Sequence, residues 1–463
     1  MTAGISRWLF CVLATGQALV ADDVVVEEWP HFLGPHMNAT TRETPLLEKW
    51  PEKGLEVVWE KERGEGYACP VISNGRLFYF HRLDRKETVE CREPKTGELV
   101  WSFAYPVEYQ DRYGFSSGPR SSVVADGDRV YVAGVTPQLH CLSADKGELL
   151  WKKDLAKEYE VPQYFFGYGP TPVVHGNRLI INVGGKVSPE AGGVCVAAFD
   201  KMTGKALWEV EDTWGASYAS PVVAKIRGKA CALVLAAGES KPTHGGLLTI
   251  DAETGEVYDR FPWRAKKYES VLASSALIID DTRVFISECY ELGGVLLEFD
   301  ESRKSKPLWK QREFGMHFMM PIEKDGYLYG FAGRNPPDTE FKCVDLKTGE
   351  VMWTKDYRWK REDGQIEGLF RASLLQAGER YFALGEDGLF TELELSPEGS
   401  KELQRTRFFT AREAWTMPSL HDGLLYAVQN TVDGQSGKKR RLICYDLRPE
   451  ALRSEAERLE PTQ

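Results

Sequence analysis

One heptapeptide recurs along the chain and decides its fold: Lys95-Thr96-Gly97-Glu98-Leu99-Val100-Trp101. A turn containing Gly leads into a short apolar run that ends in Trp. Clear copies are Asp145-Lys146-Gly147-Glu148-Leu149-Leu150-Trp151, Lys201-Met202-Thr203-Gly204-Lys205-Ala206-Leu207-Trp208 and Lys347-Thr348-Gly349-Glu350-Val351-Met352-Trp353. Two weaker copies are Glu253-Thr254-Gly255-Glu256-Val257-Tyr258 and Lys306-Pro307-Leu308-Trp309. The copies predict the last hairpin of a repeated β unit.

A second pattern gives the number of units. Eight segments of small residues precede the first β run of each unit, and they are Tyr67-Ala68-Cys69-Pro70, Pro119-Arg120-Ser121-Ser122, Gly169-Pro170-Thr171-Pro172, Tyr218-Ala219-Ser220-Pro221, Leu272-Ala273-Ser274-Ser275, Phe318-Met319-Met320-Pro321, Phe370-Arg371-Ala372-Ser373 and Trp415-Thr416-Met417-Pro418. The interval from Cys91 to Cys444 covers seven steps, a period of about 50 residues. Four short strands per unit at this period predict an all-β, eight-bladed β-propeller.

The chain ends explain how the ring closes. The eighth unit reaches Leu442-Ile443-Cys444-Tyr445-Asp446 and then lacks a Trp strand, whereas Val57-Val58-Trp59-Glu60 lies unused ahead of the first unit. We therefore predict that this N-terminal strand completes the eighth blade and removes an exposed edge. The predicted organisation is a signal peptide (1–21), an extended arm (22–56), the propeller (57–450) and a charged C-terminal tail (451–463).

The cysteines are expected to be free thiols. Cys91, Cys141, Cys343 and Cys444 hold one repeat position. Equivalent positions on neighbouring blades are about 10 Å apart, which is too far for a disulfide that needs Cα atoms within about 7 Å.

Composition and the N-terminus restrict the function classes. The 58 basic residues are outnumbered by 69 acidic ones, giving a net charge of −11, so a nucleic-acid partner is not expected. Arg7 followed by the apolar run 8–20 predicts a secretory signal. We expect a secreted or periplasmic monomer without a transmembrane segment in the mature chain.

The turns and openings resemble those of a known family. The Thr-Gly-Glu-x-x-Trp turns and Ser220-Pro221-Val222-Val223 are similar to pyrroloquinoline quinone (PQQ)-like repeats. Trp29-Pro30-His31-Phe32-Leu33-Gly34-Pro35 resembles the first motif of secreted PQQ-like propeller proteins of planctomycete-type bacteria. The resemblance implies a quinoprotein-like fold, and the family's relatives include quinoprotein dehydrogenases and the non-enzymatic assembly scaffold BamB.

The resemblance also states what an enzyme of this family would need. Quinoprotein dehydrogenases stack their cofactor between a disulfide of adjacent cysteines and a Trp, bind calcium through carboxylates and amides, and use an Asp base. This sequence has no adjacent cysteines. We therefore expect no cofactor, with PQQ and calcium as the alternative. The eight His residues show no zinc spacing.

Two short motifs resemble functional signals but have simpler structural explanations. Gly114-Phe115-Ser116-Ser117-Gly118 matches a nucleophile elbow, but it lies in a loop before a strand rather than between a strand and a helix. Lys438-Lys439-Arg440-Arg441 is a basic run that suits a solvated hairpin tip better than an anion site. Neither motif predicts catalysis.

The rim of the central channel is the predicted binding site. The first strand of each blade lines the axis, and its start lies at one rim, where aromatic residues and Arg are frequent. Those residue types dominate binding hot spots. Eight residues are predicted to converge there: Tyr67, Arg120, Tyr168, Tyr218, His317, Phe318, Arg371 and Trp415. The two guanidinium groups favour an anionic or carbonyl-rich ligand.

The sequence therefore favours a secreted, non-catalytic propeller that binds a ligand or protein partner at the channel rim. A quinone-dependent dehydrogenase, or another enzyme of the same fold, and a BamB-like envelope assembly scaffold are the alternatives. The sequence does not identify the ligand.

Overall fold

A computed structural model of the chain describes residues 24–185, 192–238, 244–267, 270–336, 338–361, 364 and 366–453. The predicted signal peptide and residues 454–463 of the predicted tail lie outside the described residues.

Eight four-stranded antiparallel sheets form the blades of a propeller, as the repeats predict. Blades 1 to 4 consist of Val71–Ser73, Arg76–Leu83, Lys86–Arg92 and Leu99–Pro106; Val124–Asp126, Arg129–Ala133, Gln138–Ser143 and Leu149–Asp154; Val173–His175, Arg178–Asn182, Gly193–Asp200 and Ala206–Asp212; and Val222–Ile226, Lys229–Ala236, Gly246–Asp251 and Val257–Pro262. Blades 5 to 8 consist of Leu277–Ile278, Arg283–Glu288, Gly293–Phe299 and Ser305–Gln311; Ile322–Lys324, Tyr327–Ala332, Glu340–Asp345 and Val351–Lys355; Ser373–Ala377, Arg380–Leu384, Leu389–Ser396 and Gly399–Arg407; and Ser419–His421, Leu424–Gln429, Arg441–Asp446 and Glu56–Glu62.

Few other elements occur in the described ranges. A short helix spans Leu155–Glu158, and a single 3₁₀ turn spans Glu450–Leu452. Arg358–Lys360 and Ile366–Gly368 form an additional hairpin after blade 6. Thr40–Thr41 pairs in parallel with the first strand of blade 7.

The N-terminal strand closes the ring. Glu56–Glu62 pairs antiparallel with Arg441–Asp446, with Trp59 opposite Cys444, which confirms the predicted closure. The basic run before that strand lies along the closing strand, because Lys438 and Arg441 both form ion pairs with Glu60. Lys439 lies near Glu62 in the same way. These charges therefore support closure of the ring rather than an anion site.

Each repeated Trp joins its blade to the next one. The indole N–H of Trp101, for example, donates to the carbonyl of Ala144 at 3.0 Å. Its ring covers Gly147, whose φ is +69°. The six such donor–acceptor pairs are Trp59–Pro94, Trp101–Ala144, Trp151–Lys201, Trp208–Ala252, Trp309–Leu346 and Trp353–Ser396. The Thr-Gly-x-x-x-Trp motif thus has two roles. Its glycine forms the turn on which the Trp of the preceding blade packs, and its own Trp packs on the turn of the following blade.

The fourth strand of every blade contains a one-residue β-bulge. The bulge lies directly before the repeated Trp, or before the residue that replaces this Trp in blades 4 and 7. The bulged residues are Val58, Val100, Leu150, Leu207, Tyr258, Leu308, Met352 and Leu403. A bulge bends the strand and redirects the following side chain, here toward the neighbouring blade. It also interrupts the hydrogen-bonding ladder of an outer edge strand, which discourages pairing with other molecules.

Substitutions of Gly147 and Gly127 test whether the Trp101 ring packs against the turn of the next blade. A Cβ atom at Gly147 would lie 2.4 Å from the Trp101 ring, whereas a Cβ at Gly127, φ +60°, would meet no atom within 4 Å. Both positions have left-handed backbone, so Gly127→Ala is expected to cost about 1 kcal/mol of unfolding free energy. Gly147→Ala is expected to cost about 3 kcal/mol, because the ring must also move. Urea unfolding measures both, and equal losses would show that the ring does not press on this turn.

The eight cysteines of the described residues are all free, as expected. Cys91, Cys141, Cys343 and Cys444 lie in the third strands of their blades and are fully buried. They act as small apolar residues of the blade core.

The N-terminal arm crosses one end of the channel. Trp29 exchanges backbone hydrogen bonds with Ile72 of blade 1, and Pro30 accepts one from Ala125 of blade 2. Farther along, the backbone N–H of Gln376 in blade 7 donates to Ala39. The arm therefore spans the ring from blades 1 and 2 to blade 7 and covers this end of the channel.

Candidate functional site

A blind cavity of about 440 Å³ occupies the channel. Its open end is formed by the loops that lead into the first strands of the blades. At the other end, Phe32 and Leu33 of the arm contribute to the lining. The arm thus turns an open channel into a cavity with one mouth.

Seven of the eight predicted rim residues line this cavity: Tyr67, Arg120, Tyr218, His317, Phe318, Arg371 and Trp415. The ring symmetry brings them together from separate units, and their role in binding remains a prediction. Tyr168 is a correction to the predicted set. It is only 2% exposed, packs in the core between blades 2 and 3, and donates its hydroxyl to the Asn182 carbonyl at 2.5 Å.

The cavity wall is tied together by hydrogen bonds between neighbouring blades. The backbone N–H of Cys69 donates to the Ser122 hydroxyl at 2.9 Å, and that of Ser122 donates to the Thr171 hydroxyl at 3.0 Å. The same relation continues from Thr171 to Ser220 and from Ser220 to Ser275. The Ser and Thr residues of the opening segments therefore fix five consecutive blades in register and hold the cavity open.

Asp111 organises the loop that carries two aromatic residues to the mouth. Its carboxylate accepts the backbone N–H groups of Tyr113 and Phe115 at 2.9 and 3.0 Å, and the Arg120 guanidinium at 2.9 Å. Ser117 accepts the N–H of Asp111. The segment Gly114-Phe115-Ser116-Ser117-Gly118 is therefore a loop that holds Phe115 at the mouth. The next element is the strand Val124–Asp126 rather than the helix that a nucleophile elbow requires.

Aromatic rings form a continuous series across the mouth. Phe318 lies 5.1 Å from Trp415, Trp415 lies 5.8 Å from Phe115, and Phe115 lies 5.6 Å from Phe166. Phe166 in turn lies 5.8 Å from Tyr218. These five rings come from loops that precede five different blades. The mouth is consequently an apolar surface whose rings support one another.

The two predicted guanidinium groups are already paired with carboxylates behind the lining. Arg120 bonds Asp111, and Arg371 bonds Glu386 at 2.5 Å while lying over the Trp415 ring. Each guanidinium also lies over an aromatic ring of the mouth, Arg120 over Tyr67 and Arg371 over Trp415, and their role in ligand binding stays a prediction. Arg334, which the sequence analysis missed, also lines the cavity and lies 4.5 Å above the Tyr290 ring. Among the described residues it has no acidic partner.

Two titratable groups of the mouth, the His317 imidazole and the Tyr67 hydroxyl, are held neutral. Burial and the nearby guanidinium of Arg371 lower the pKa of His317 to about 3. Its ring lies 3.9 Å from Phe318, and its Nδ1 is 3.0 Å from the carbonyl of Arg334. Burial, assisted by the Glu413 carboxylate, raises the pKa of the Tyr67 hydroxyl above its ordinary value. At neutral pH both side chains contribute uncharged rings.

The lining does not fit a quinone cofactor with its metal. It contains no Asp or Glu, so no carboxylate of the described cavity wall could ligate calcium or act as a base. No group of three or more His, Cys, Asp or Glu suitable for a metal occurs in the described residues. Cys69, which does line the cavity, is a free thiol without a Cys neighbour.

Sequence reasoning missed several lining residues, chiefly Phe32, Leu33, Tyr290 and Arg334. Tyr290 and Arg334 lie on loops between second and third strands, whereas the predicted set was drawn from segments before first strands. Phe32 and Leu33 come from an arm whose path only the closed ring defines.

The comparisons with known proteins agree with this fold. A family profile described as outer membrane protein assembly factor BamB matches residues 85–355, more than half of the chain. The outer membrane protein assembly factor BamB of Burkholderia pseudomallei is 23% identical over 358 residues, covering 75% of this chain and 82% of the relative.

Two solved structures show the same architecture. BamB from Moraxella catarrhalis superposes with a TM-score of 0.53 at 14% identity, covering 85% of this chain and 97% of that one. The quinohemoprotein alcohol dehydrogenase of Comamonas testosteroni gives a TM-score of 0.63 at 13% identity, covering 91% and 82%. At these identities the likeness establishes the fold alone. Separately, no helix in the described parts of the chain has the length and hydropathy to span a membrane.

Proposed function

The chain belongs to the family described as outer membrane protein assembly factor BamB, and from this premise we propose that it is a non-catalytic binding protein of the bacterial envelope. It holds a ligand or a segment of a protein partner in the aromatic cavity. One observation carries the proposal: a cavity of about 440 Å³ whose mouth is aromatic and whose described lining residues include no carboxylate.

Preorganisation of the mouth supports binding. Aromatic side chains bury much area at small entropic cost, and they dominate hot spots. Here their loops are fixed by the Asp111 carboxylate and by hydrogen bonds such as that from Phe166 N–H to the Tyr218 hydroxyl at 3.0 Å. A ligand that enters this cavity therefore orders few protein groups, and less affinity is lost to ordering.

A dehydrogenase remains the second candidate, because one structural neighbour is a quinohemoprotein alcohol dehydrogenase. The carboxylate-free lining disfavours it. Addition of PQQ and calcium to the purified protein, followed by assay with alcohols and sugars, distinguishes the two functions. Sustained oxidation of substrate would replace the binding function with the enzymatic one.

Truncation of Trp415 tests the binding function. Trp415 is half-buried and contacts Tyr67, Phe115 and Phe318. Trp415→Ala is expected to weaken binding by about 1–4 kcal/mol, the range of hot-spot residues, with little loss of stability. The measurement is calorimetric titration with the tightest ligand found in a panel of apolar peptides and small aromatic molecules.

Leu403→Ala is the matched control, because Leu403 is a 49% exposed apolar residue on the circumference. It should bind as the unaltered protein does. Equal losses in both variants, or unchanged binding by Trp415→Ala, would place the binding surface outside the mouth.

A further inference from the structure

The position of the arm limits what can occupy the cavity. Because Phe32 and Leu33 line its closed end, an extended chain cannot pass through the propeller. The arm is held at Trp29 by two backbone hydrogen bonds of 2.9 Å and at Ala39 by one of 3.0 Å. The occupant must therefore enter by the mouth and end inside the cavity, which suits a compact molecule.

The interior suits an apolar body. Met319, Met320 and Met417 lie among the lining residues together with Phe32 and Leu33. Methionine side chains adapt to irregular apolar shapes and make favourable contacts with aromatic rings. Cavities of this size bury most of the surface of a drug-sized ligand.

The mouth has an uneven distribution of charge. Of the described residues, three arginines and no acidic residue line the cavity. Asp111 and Glu386 neutralise Arg120 and Arg371 from behind the lining. Glu413 also lies outside the lining, where it accepts the Tyr67 hydroxyl at 2.5 Å. The exposed Arg334 guanidinium is left without an acidic partner among the described residues.

The local contacts place this guanidinium beside Tyr290, another residue of the cavity lining. It lies over the Tyr290 ring, while the Arg334 carbonyl is held by Arg371 at 3.3 Å and by His317 at 3.0 Å. Asn335, which adds an amide group, is the next lining residue. A cation and an amide beside an aromatic opening form a suitable receptor for one anionic headgroup.

We propose that the cavity binds a small amphipathic anion, whose apolar body fills the blind interior and whose carboxylate, sulfonate or phosphate lies against Arg334. This inference rests on the proposed function and names the chemical class of the ligand. A single negative charge suffices, because Arg334 is the one guanidinium of the lining without a carboxylate partner in the part of the chain that the structure describes.

Two dyes with the same aromatic body test the proposal: anilinonaphthalene sulfonate and its uncharged counterpart N-phenylnaphthylamine. Fluorescence titration of the full chain is expected to show one site, with the sulfonate bound several-fold more tightly. Arg334→Gln is expected to weaken sulfonate binding about tenfold, the value of a hydrogen bond to a charged group, and to leave the uncharged dye within about twofold. Arg312→Gln, which removes an exposed arginine outside the lining, should change neither.

The other outcomes separate this inference from the proposed function. Equal binding of both dyes with no effect of Arg334→Gln would overturn the anionic ligand class while leaving a binding cavity. Failure of both dyes to bind, together with capture of apolar peptides that Trp415→Ala abolishes, would also overturn it and leave the binding function intact. If the unaltered protein binds neither the peptides nor the dyes, both the inference and the proposed function are refuted.

Discussion

A variant lacking residues 24–62 is expected to yield no soluble monomer. The deletion removes the fourth strand of blade 8 and exposes the edge of Arg441–Asp446, which now pairs with the closing strand. It also removes the Trp59 side chain, which is 7% exposed. The Trp59 ring packs against Gly97, and its indole N–H donates to the Pro94 carbonyl. An open ring presents two unpaired blade faces and a template for aggregation. Size-exclusion chromatography after expression measures the result.

A circular permutant provides the control. Glu56 lies opposite Asp446, so a short turn can join the two and place Glu56–Glu62 directly after the third strand of blade 8. This chain restores the closing strand but still lacks residues 24–55. Recovery of soluble monomer from the permutant, and not from the deletion, would assign closure to the strand itself. A soluble monomeric deletion variant would show that the propeller folds without the fourth strand of blade 8.

Trp29→Ala is expected to destabilise the protein by about 3–5 kcal/mol and to open the closed end of the cavity. The Trp29 side chain is fully buried, and its ring packs against Gly34, where a Cβ atom would lie 3.0 Å away. Loss of this ring leaves a void beneath the segment that carries Phe32 and Leu33. Thermal unfolding measures the stability, and dye titration measures the cavity.

Val26→Ala is the control on the same arm. Val26 is 46% exposed, so its truncation should change stability by less than about 0.5 kcal/mol. If Trp29→Ala unfolds at the temperature of the unaltered protein, or binds the dyes unchanged, the arm does not support the closed end.

The repeat made the fold predictable from the sequence. A Thr-Gly turn before Trp predicts both a turn and a contact between blades. The glycine adopts a left-handed backbone, and its missing side chain leaves room for the Trp of the neighbouring blade. Counting the opening segments before the first strands gave eight blades, and the unmatched Trp59 identified the closing strand. In this chain the pattern of the turns and the closure of the ring predict the same fold, so its sequence alone was sufficient.

The cavity was predictable only in part. Position in the repeat placed Tyr67, Tyr218, Phe318 and Trp415 at the mouth, since the start of each first strand must face the axis. It could not predict the direction of each side chain, and Tyr168 turns into the core between blades. Nor could it predict that Asp111 and Glu386 neutralise two arginines, because ion pairing depends on loop conformations that no repeat position specifies.

Closure by the two ends of the chain has a consequence for biosynthesis. The closing contact between Arg441 and Glu60 joins residues 381 positions apart. At roughly 5–20 residues per second, a ribosome needs about 20–80 s to make the intervening chain. During that time Trp59 and the arm have no partners in blades 7 and 8. The ring and its closed cavity therefore form only after nearly the whole chain has been synthesised, and a nascent or truncated chain carries no ligand site.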